Sequence, residues 1–344
     1  MKVLIADDSA LMRREIRRIL EKDPEIEVIA TARDGQDAIN KTKEYDPDVV
    51  ALDINMPIMN GITALQIIML ECPRPVVMIS SLTQTDALIS YEALELGAVD
   101  FIAKPDGTIS RSIHRVAEEI IFKIKSAGCA NRNQLNKKRR IAVTQKINKT
   151  KTSKIIVIGQ STGGPKTIMD ILPVFPPDLP APVLIIQHMP GSFTPSFASR
   201  LDSVSAIPFK EAQRGDIISP GHGFLAPGDH HLIVSPTTNK NEAIIRLSDY
   251  PTDTLYKPSV DITMKSILSL YGSNVIAVLL TGMGCDGADA MAEIRKAGGR
   301  TIAESEDSCV VFGMPKEAIK RGGAEFVLPS HEIGHKIMEL LSCA

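Results

Sequence analysis

The sequence has no long hydrophobic run and no closely spaced pair of cysteines. None of its apolar stretches reaches the roughly 18 residues that a membrane-spanning helix needs, so we expect no membrane insertion. The N-terminal segment MKVLIADDSA has two acids where a signal peptide would continue its apolar core, which predicts a cytoplasmic protein. The five cysteines are scattered without a C-x-x-C pair, so neither a zinc ribbon nor a redox dithiol is expected.

Acidic residues are also absent from one segment in the middle of the chain. Residues 123–154 carry 11 lysines and arginines and no acid, whereas residues 1–122 carry 13 basic and 21 acidic residues. The segment lacks sustained apolar periodicity, which predicts a flexible linker over 123–152 between two domains, 1–122 and 153–344. Its KKRR motif is an alternative nucleic-acid signal. No aromatic or recognition-helix pattern accompanies that motif, and we expect no nucleic-acid partner.

Short apolar runs alternate with amphipathic stretches on both sides of the linker. Before it, KVLIA, EVIATA, DVVALDI, PVVMIS and VDFIA predict five strands, and Ser9 is placed to cap the helix LMRREIRRIL. After it, KIIVIG, APVLIIQH, HHLIVS, AIIRLS, NVIAVLLTG and FVLP predict further strands. The alternation predicts two α/β domains with doubly wound, mostly parallel sheets. Closely spaced strand-like runs between about 204 and 248 predict a small antiparallel excursion in the second domain.

Acidic side chains end two predicted strands of the first domain. Asp7 and Asp8 close the first strand and Asp53 closes the third, so a parallel sheet would bring the carboxylates to one edge. Such a cluster repels itself unless a cation binds, and Mg²⁺ is the hard cation that prefers oxygen ligands. Lys104, after the fifth strand, could offset part of the charge. Ser80, at the end of the fourth, could donate to a phosphoryl oxygen.

The motifs IADDS, LDINMP, MISS and AKP, in this order, resemble the receiver domain of two-component response regulators over essentially all of residues 1–122. The resemblance implies a flavodoxin-like (βα)5 fold and phosphorylation of Asp53 by a partner histidine kinase. It implies direct magnesium ligation by Asp8, Asp53 and the main-chain carbonyl of Asn55, with Asp7 acting mostly through water. The switch residues that it implies are Ser80, Phe101 and Lys104.

A glycine-rich turn follows the first strand of the second domain. Gly159-Gln160-Ser161-Thr162-Gly163 fits G-x-S-x-G, the turn that exposes a nucleophilic serine at the top of a sheet. Glycine turns between strand and helix also hold phosphates. A P-loop would need lysine where this chain has Pro165, and a dinucleotide fingerprint would need glycine in place of Ser161. Both nucleotide motifs therefore fail, and the serine nucleophile is favoured.

A nucleophilic serine needs a histidine base that a carboxylate orients. His188 ends the run VLIIQH, and Asp286 follows the run NVIAVLLTGMGCDG, so parallel strands would bring both to the edge that carries Ser161. Other candidates remain open. The alternative bases are His222, His230 and His231, and the alternative acids are Asp261 and Asp289. Asp286 could instead cap the helix that follows it.

The motifs IGQSTGGP, QHMPGSFTPSFASRLD, KEAQRGD, LAPGDHHL, KPSVDI, LLTGMGCDGADAM and CVVFGMPKEA resemble those of the chemotaxis protein-glutamate methylesterases, the CheB type, over about residues 153–342. The resemblance implies a catalytic triad, a main-chain oxyanion hole and one departure, Gln160, where the family usually has a small residue. The triad residues that it implies are Ser161, His188 and Asp286, and the oxyanion residues are Thr162 and Met283.

This second resemblance also implies a function. A chain of this type would hydrolyse glutamate methyl esters on chemoreceptors, deamidate receptor glutamines, and be inhibited until its receiver is phosphorylated. We expect Mg²⁺ in the receiver, no cofactor in the hydrolase site, and a monomer. A DNA-binding response regulator would carry a small basic output domain, whereas residues 155–344 carry 15 basic and 20 acidic residues. A nucleotide-dependent Rossmann enzyme is the remaining alternative.

Overall fold

The computed structural model describes residues 1–80, 84–104, 117–130, 153–237 and 242–342. The chain divides into two compact units, Met1–Lys138 and Arg139–Ala344. No helix within the described ranges is long and apolar enough to cross a membrane.

The first unit contains a five-stranded parallel sheet. Its strands are β1 (Lys2–Ala6), β2 (Glu27–Ala32), β3 (Val49–Asp53), β4 (Val76–Ser80) and β5 (Asp100–Ala103), and its helices are α1 (Ala10–Leu20), α2 (Gly35–Tyr45), α3 (Gly61–Glu71), α4 (Gln84–Glu95) and α5 (Ala117–Gly128). The strand order β2-β1-β3-β4-β5 is the flavodoxin-like order. The predicted fold of this domain is confirmed.

Local sequence features fix the elements around the acidic edge of this sheet. The Ser9 side chain accepts a hydrogen bond from the Met12 N–H and caps α1, as predicted. At the start of α3, a Cβ built on Gly61 would lie 2.0 Å from the carbonyl oxygen of Asp53. Only glycine therefore allows α3 to begin so close to the end of β3.

Helix α5 continues past residue 122, where the sequence placed the start of the linker. Ile120, Ile124 and Ala127 are buried on one face of α5, and Lys123 is buried beside them. Their spacing is helical, but the basic residues between them hid the pattern. The predicted linker start at residue 123 is corrected to a point beyond Gly128, and residues 131–152 lie outside the described part of the chain.

The second unit contains a seven-stranded parallel sheet and a three-stranded antiparallel sheet. Its strands are β6 (Ile155–Gln160), β7 (Val183–Gln187), β8 (Phe209–Glu211), β9 (Ile217–Ile218), β10 (Gly223–Leu225), β11 (His231–Pro236), β12 (Ala243–Ser248), β13 (Val275–Leu279), β14 (Arg300–Glu304) and β15 (Phe326–Leu328). Its helices are α6 (Gly164–Thr167), α7 (Thr194–Val204), α8 (Val260–Tyr271), α9 (Ala288–Lys296), α10 (Met314–Lys320) and α11 (Ser330–Ser342).

The strand order of the large sheet is β15-β14-β13-β6-β7-β10-β8, and that of the small sheet is β11-β12-β9. The predicted antiparallel excursion is confirmed, although β8 and β10 within it pair in parallel with the large sheet. From β6 the chain builds outward through β7 on one side and through β13 on the other. This divergence is the topological switch point, where the carboxyl ends of strands in open α/β sheets typically form a site.

Candidate active site

Ser161 is the first residue after β6, at this switch point. Its side chain is buried, and its N–H donates to the carbonyl of Thr281, which follows β13, at 3.0 Å. The turn closes because Gly163 adopts φ +83° and the Gly164 N–H donates to the Ser161 carbonyl at 2.8 Å. A Cβ on Gly163 would lie 2.5 Å from Val310. The sharp turn that the motif predicts is therefore present.

The register of the neighbouring strand brings His188 beside this turn. Gln160 pairs with Gln187 at the ends of β6 and β7, and the His188 N–H donates to the Gln160 carbonyl at 3.2 Å. The buried amide of Gln187 donates to the carbonyl of Ser161 at 3.1 Å and to that of His188 at 3.0 Å. The Gln187 side chain thus links the main chain of Ser161, the candidate nucleophile, to that of His188, the candidate base.

The imidazole of His188 binds the carboxylate of Asp286. Nε2 lies 2.8 Å from Oδ2, while the buried Nδ1 has no hydrogen-bond partner among the described residues. In the serine protease triad, Nδ1 faces the carboxylate and Nε2 faces the serine; here Nε2 faces the carboxylate and Nδ1 is the remaining ring nitrogen. The Ser161–His188 hydrogen bond is not formed in this structure, and such contacts often tighten only when substrate binds.

Asp286 is held by the first turn of α8. Its carboxylate accepts from the Ser259 hydroxyl at 2.9 Å, from the Val260 N–H at 2.7 Å and from the Asp261 N–H at 2.9 Å. Burial alone would raise the pKa of Asp286, but the His188 hydrogen bond and charge and these N–H donors more than offset it and lower the pKa to about 2. Asp286 is therefore a fixed anion that can orient an imidazole.

The alternative acids have other roles. The carboxylate of Asp261 accepts from the Ala290 N–H in the first turn of α9 at 2.7 Å. Asp289 pairs with Arg321 at 2.6 Å on the surface. The alternative interpretation of Asp286 as a cap for the following helix is wrong, because its carboxylate turns back to α8 instead.

The alternative bases lie elsewhere. His222 is exposed, and His230 pairs on the surface with Asp249 at 2.6 Å. His231 is buried, and its Nδ1 accepts from the Ser259 N–H at 3.2 Å; burial lowers its pKa. Within the described residues, no hydrogen bond joins any of the three to the predicted catalytic carboxylate.

The predicted oxyanion residues belong to two loops that meet at the nucleophile. The Thr281 hydroxyl donates to the Thr162 carbonyl at 3.0 Å, and a Cβ on Gly282 would lie 2.7 Å from the Cβ of Ser161. Met283 follows directly in this second loop. The two loops are thus cross-linked beside the serine, while the aim of the Thr162 and Met283 N–H groups at an oxyanion stays a prediction.

Sequence reasoning missed Glu304, a fully buried carboxyl at the end of β14. It accepts from the Thr281 N–H and from the Ser308 hydroxyl, both at 2.8 Å. Burial raises the pKa of Glu304 to about 7. The short run RTIA after two glycines was the available strand signal, and it would have placed this acid at the carboxyl edge.

In the receiver unit, the three predicted acids do converge. Carboxylate oxygens of Asp7, Asp8 and Asp53 lie within 4.8 Å of one another, and the Lys104 ammonium lies 2.9 Å from Asp7 and 2.8 Å from Asp53. Burial and the charges of Asp7 and Asp8 raise the pKa of Asp53 to about 6 against the opposing effect of Lys104. An all-oxygen donor set with this residual repulsion fits Mg²⁺.

The other predicted receiver residues lie on β4, on β5 and in the loop after β3. Phe101 is buried, with its ring edge-on to Tyr91 at 5.7 Å, and its carbonyl accepts from Lys123 at 2.6 Å. Asn55 lies two residues beyond β3 and is exposed. Ser80 ends β4, but its side chain lies outside the described part. Metal ligation by Asn55 and the switch roles of Ser80 and Phe101 stay predictions.

The chain is similar to known protein families in both of its units. The family model "CheB methylesterase" matches residues 156–337, and "Response regulator receiver domain" matches residues 3–113. A protein-glutamate methylesterase/protein-glutamine glutaminase of Caldanaerobacter subterraneus is 51% identical over 98% of this chain and 96% of its own length. A similarly named protein of Carboxydothermus hydrogenoformans is 50% identical over 99% of both chains.

Among solved structures, the catalytic domain of Thermotoga maritima CheB methylesterase is 43% identical, with a TM-score of 0.53. The match covers 55% of this chain and 99% of that domain. With full-length relatives at this identity and both family models matched in order, the chain belongs to the CheB methylesterase family and carries an N-terminal response-regulator receiver domain.

Proposed function

We propose that this chain hydrolyses glutamate methyl esters on chemoreceptors, with Ser161 as the nucleophile, His188 as the base and Asp286 as the residue that orients the base. The observation that carries the proposal is the 2.8 Å bond from His188 Nε2 to Asp286. This bond leaves Nδ1 for the serine on the adjacent strand end. The printed names of the full-length relatives support the same chemistry.

In the first step, the Ser161 oxygen bonds to the ester carbonyl carbon while His188 Nδ1 takes the hydroxyl proton. The main-chain N–H groups of Thr162 and Met283 would donate to the oxyanion, each contributing on the order of 3 kcal/mol. The C–O bond to methanol then breaks, and the imidazolium returns its proton to the leaving group. Water, deprotonated by the same base, releases glutamate and regenerates the serine.

The same site would deamidate glutamine. An amide offers the same carbonyl to Ser161, and the proton from His188 would then go to the departing ammonia. Because only the leaving group differs, replacing any member of the triad is expected to lower both activities together.

Control by phosphorylation is the second part of the proposal. A histidine kinase would transfer a phosphoryl group to Asp53, and the unphosphorylated receiver would inhibit the hydrolase. Asp8, Asp53 and the Asn55 carbonyl would hold Mg²⁺, which supplies positive charge for the incoming phosphoryl oxygens, while Lys104 already lies against the acceptor carboxylate.

The nucleophile is tested by methanol release from methylated receptor. Ser161→Ala is expected to abolish release and Ser203→Ala to leave it unchanged, because Ser203 is an exposed serine of the same unit. Ordinary turnover by Ser161→Ala would refute the assignment.

A further inference from the structure

An aromatic ring that has no role in the proposed triad covers one face of the candidate base. Tyr256 stacks on the imidazole of His188 with ring centroids 4.0 Å apart and an interplanar angle of 12°. Tyr256 is half-buried, and burial raises the pKa of its hydroxyl. The ring is therefore neutral at any working pH and offers the imidazole a flat, uncharged surface.

The other end of the same side chain reaches the second loop of the site. A Cβ built on Gly284 would lie 3.7 Å from the Tyr256 hydroxyl oxygen, and Gly284 has φ +88°. Gly284 follows Met283, one of the predicted oxyanion residues. Tyr256 thus spans the distance between the base and the loop that lies beside the nucleophile.

Residues 251–259, the segment that carries Tyr256, are hydrogen-bonded to the residues that hold Asp286. Nε2 of His231 lies 3.1 Å from the carbonyl of Pro251, near the start of that segment. Nδ1 of His231 accepts from the Ser259 N–H at its end, and the Ser259 hydroxyl donates to Asp286. The segment that carries Tyr256 and the carboxylate of Asp286 are therefore joined by one hydrogen-bond network.

This arrangement supplies a restraint that the Asp286 bond cannot provide. A single hydrogen bond at Nε2 leaves the imidazole able to turn about that contact, because terminal torsions of histidine have broad minima. Turning would change the direction in which Nδ1 points. A stacked ring at 4.0 Å opposes the rotation, and an aromatic face also favours a cation such as the imidazolium formed during proton transfer.

We propose that Tyr256 is a positioning residue for the hydrolysis, whose ring, and not its hydroxyl, holds the His188 imidazole in the orientation that receives the serine proton. The proposal rests on the proposed role of His188 as the base. It assigns a part in the reaction to a residue outside the proposed triad and the proposed oxyanion pair.

The test compares Tyr256→Phe, which keeps the ring, with Tyr256→Leu and Tyr256→Met, which remove it. Leu255→Ala is the control, because Leu255 is the adjacent residue and 74% exposed. In methanol release by the phosphorylated full chain, Tyr256→Phe and Leu255→Ala are expected to keep kcat within about threefold of the original chain. Tyr256→Leu and Tyr256→Met are expected to lose roughly tenfold or more in kcat with KM nearly unchanged.

A second readout does not depend on turnover. The Nε2 proton of His188 is followed by NMR of the histidine-labelled full chain and assigned by its loss in His188→Gln. Tyr256→Phe is expected to retain its shift and exchange rate, whereas Tyr256→Leu is expected to speed its exchange by roughly tenfold. If the original chain released no methanol, the proposed function would fail, while this measurement would still decide the role of the ring.

Three results would overturn the inference. The first is an unchanged kcat and unchanged proton exchange in the well-folded Tyr256→Leu and Tyr256→Met chains. The second is an equal loss in Tyr256→Phe, which would assign the effect to the hydroxyl. The third is a loss confined to KM, which would make Tyr256 a substrate contact.

Discussion

Asp286 and Asp261 link helices α8 and α9, because each accepts hydrogen bonds from N–H groups in the first turn of one of them. Asp286 precedes α9 and accepts from the N–H groups of Val260 and Asp261 at the start of α8, while Asp261 in α8 accepts from the Ala290 N–H in α9. Carboxylates at helix N-termini are stabilised by the free N–H groups and the helix dipole. The exchange joins the two helices and turns Asp286 toward His188.

Replacing Asp286 is expected to lower kcat far more than replacing a nearby surface acid. Asp286→Asn would remove the anion that orients the imidazole and would lower kcat for methanol release by about 10³–10⁴-fold. Asp289→Asn is the control, since this exposed acid pairs with Arg321 at the surface, and its kcat is expected to stay within about twofold. Comparable activities of the two variants would exclude Asp286 from the proposed triad.

Replacing the two glutamines that end β6 and β7 by an apolar residue is expected to change the unfolding free energy differently at each position. Gln187→Met would lose the bonds to the Ser161 and His188 carbonyls, costing about 2 kcal/mol of unfolding free energy and lowering kcat. Gln160 is fully buried, and its amide atoms have no hydrogen-bond partner within the described residues, so Gln160→Met is expected to be neutral or stabilising.

Urea denaturation and methanol release measure both effects. A destabilised Gln160→Met would show that this glutamine, the position where the sequence departs from the family pattern, makes a polar contact of its own. If Gln187→Met changed neither the unfolding free energy nor kcat, the proposed role of Gln187 in linking the nucleophile to the base would be wrong.

Glu304 is expected to make stability depend on pH. Its pKa is raised from 4.5 to about 7 in the folded chain, so between these values the folded state binds more protons than the unfolded state. The unfolding free energy contributed by this group therefore falls as pH rises toward 7 and stays low above it. Glu304→Gln removes this dependence while keeping an acceptor for the Thr281 N–H.

The measurement is urea denaturation of the original chain and of Glu304→Gln at pH 5 and pH 8. Relative to Glu304→Gln, the original chain is expected to lose on the order of 2 kcal/mol between these two pH values. The subtraction cancels the titration of groups that do not interact with Glu304. If the difference in unfolding free energy between the two chains did not change with pH, the raised pKa of Glu304 would be contradicted.

Magnesium binding is expected to need the exposed acid of the receiver cluster. Asp8→Asn would remove one carboxylate from the group that converges within 4.8 Å and would weaken Mg²⁺ binding by roughly tenfold or more. Glu92→Gln, at an exposed position of α4, is the control. Isothermal titration calorimetry with MgCl₂ gives both affinities, and equal values would place the metal elsewhere.

The sequence predicted the parts of the site that depend on strand ends. Apolar runs located β1, β3, β6 and β7 to within about two residues, and parallel pairing then predicted the convergence of Asp7 with Asp53 and of Ser161 with His188. The strand ends do meet as predicted, because the carboxyl ends of parallel strands lie along one edge of the sheet. The catalytic roles of these residues remain predictions until they are tested.

The remaining features of the site depend on the directions of side chains, which hydrophobic periodicity does not predict. Asp286 had the sequence signature of a cap for α9, and only tertiary packing shows that it caps α8. Tyr256 follows a segment without regular pattern, so its stacking on His188 had no local signal. The basic residues of α5 obscured its apolar face, and β14, which ends at Glu304, was not recognised as a strand.

The measurement that tests the central claim most directly is methanol release from methylated receptor by three full-length chains, each with and without Mg²⁺ and a small-molecule phosphodonor. The account predicts stimulation of the original chain by about 5–150-fold, a slow and unstimulated rate for Asp53→Asn, and no release by Ser161→Ala under either condition. Stimulation of Asp53→Asn by the phosphodonor, or turnover by Ser161→Ala, would contradict it.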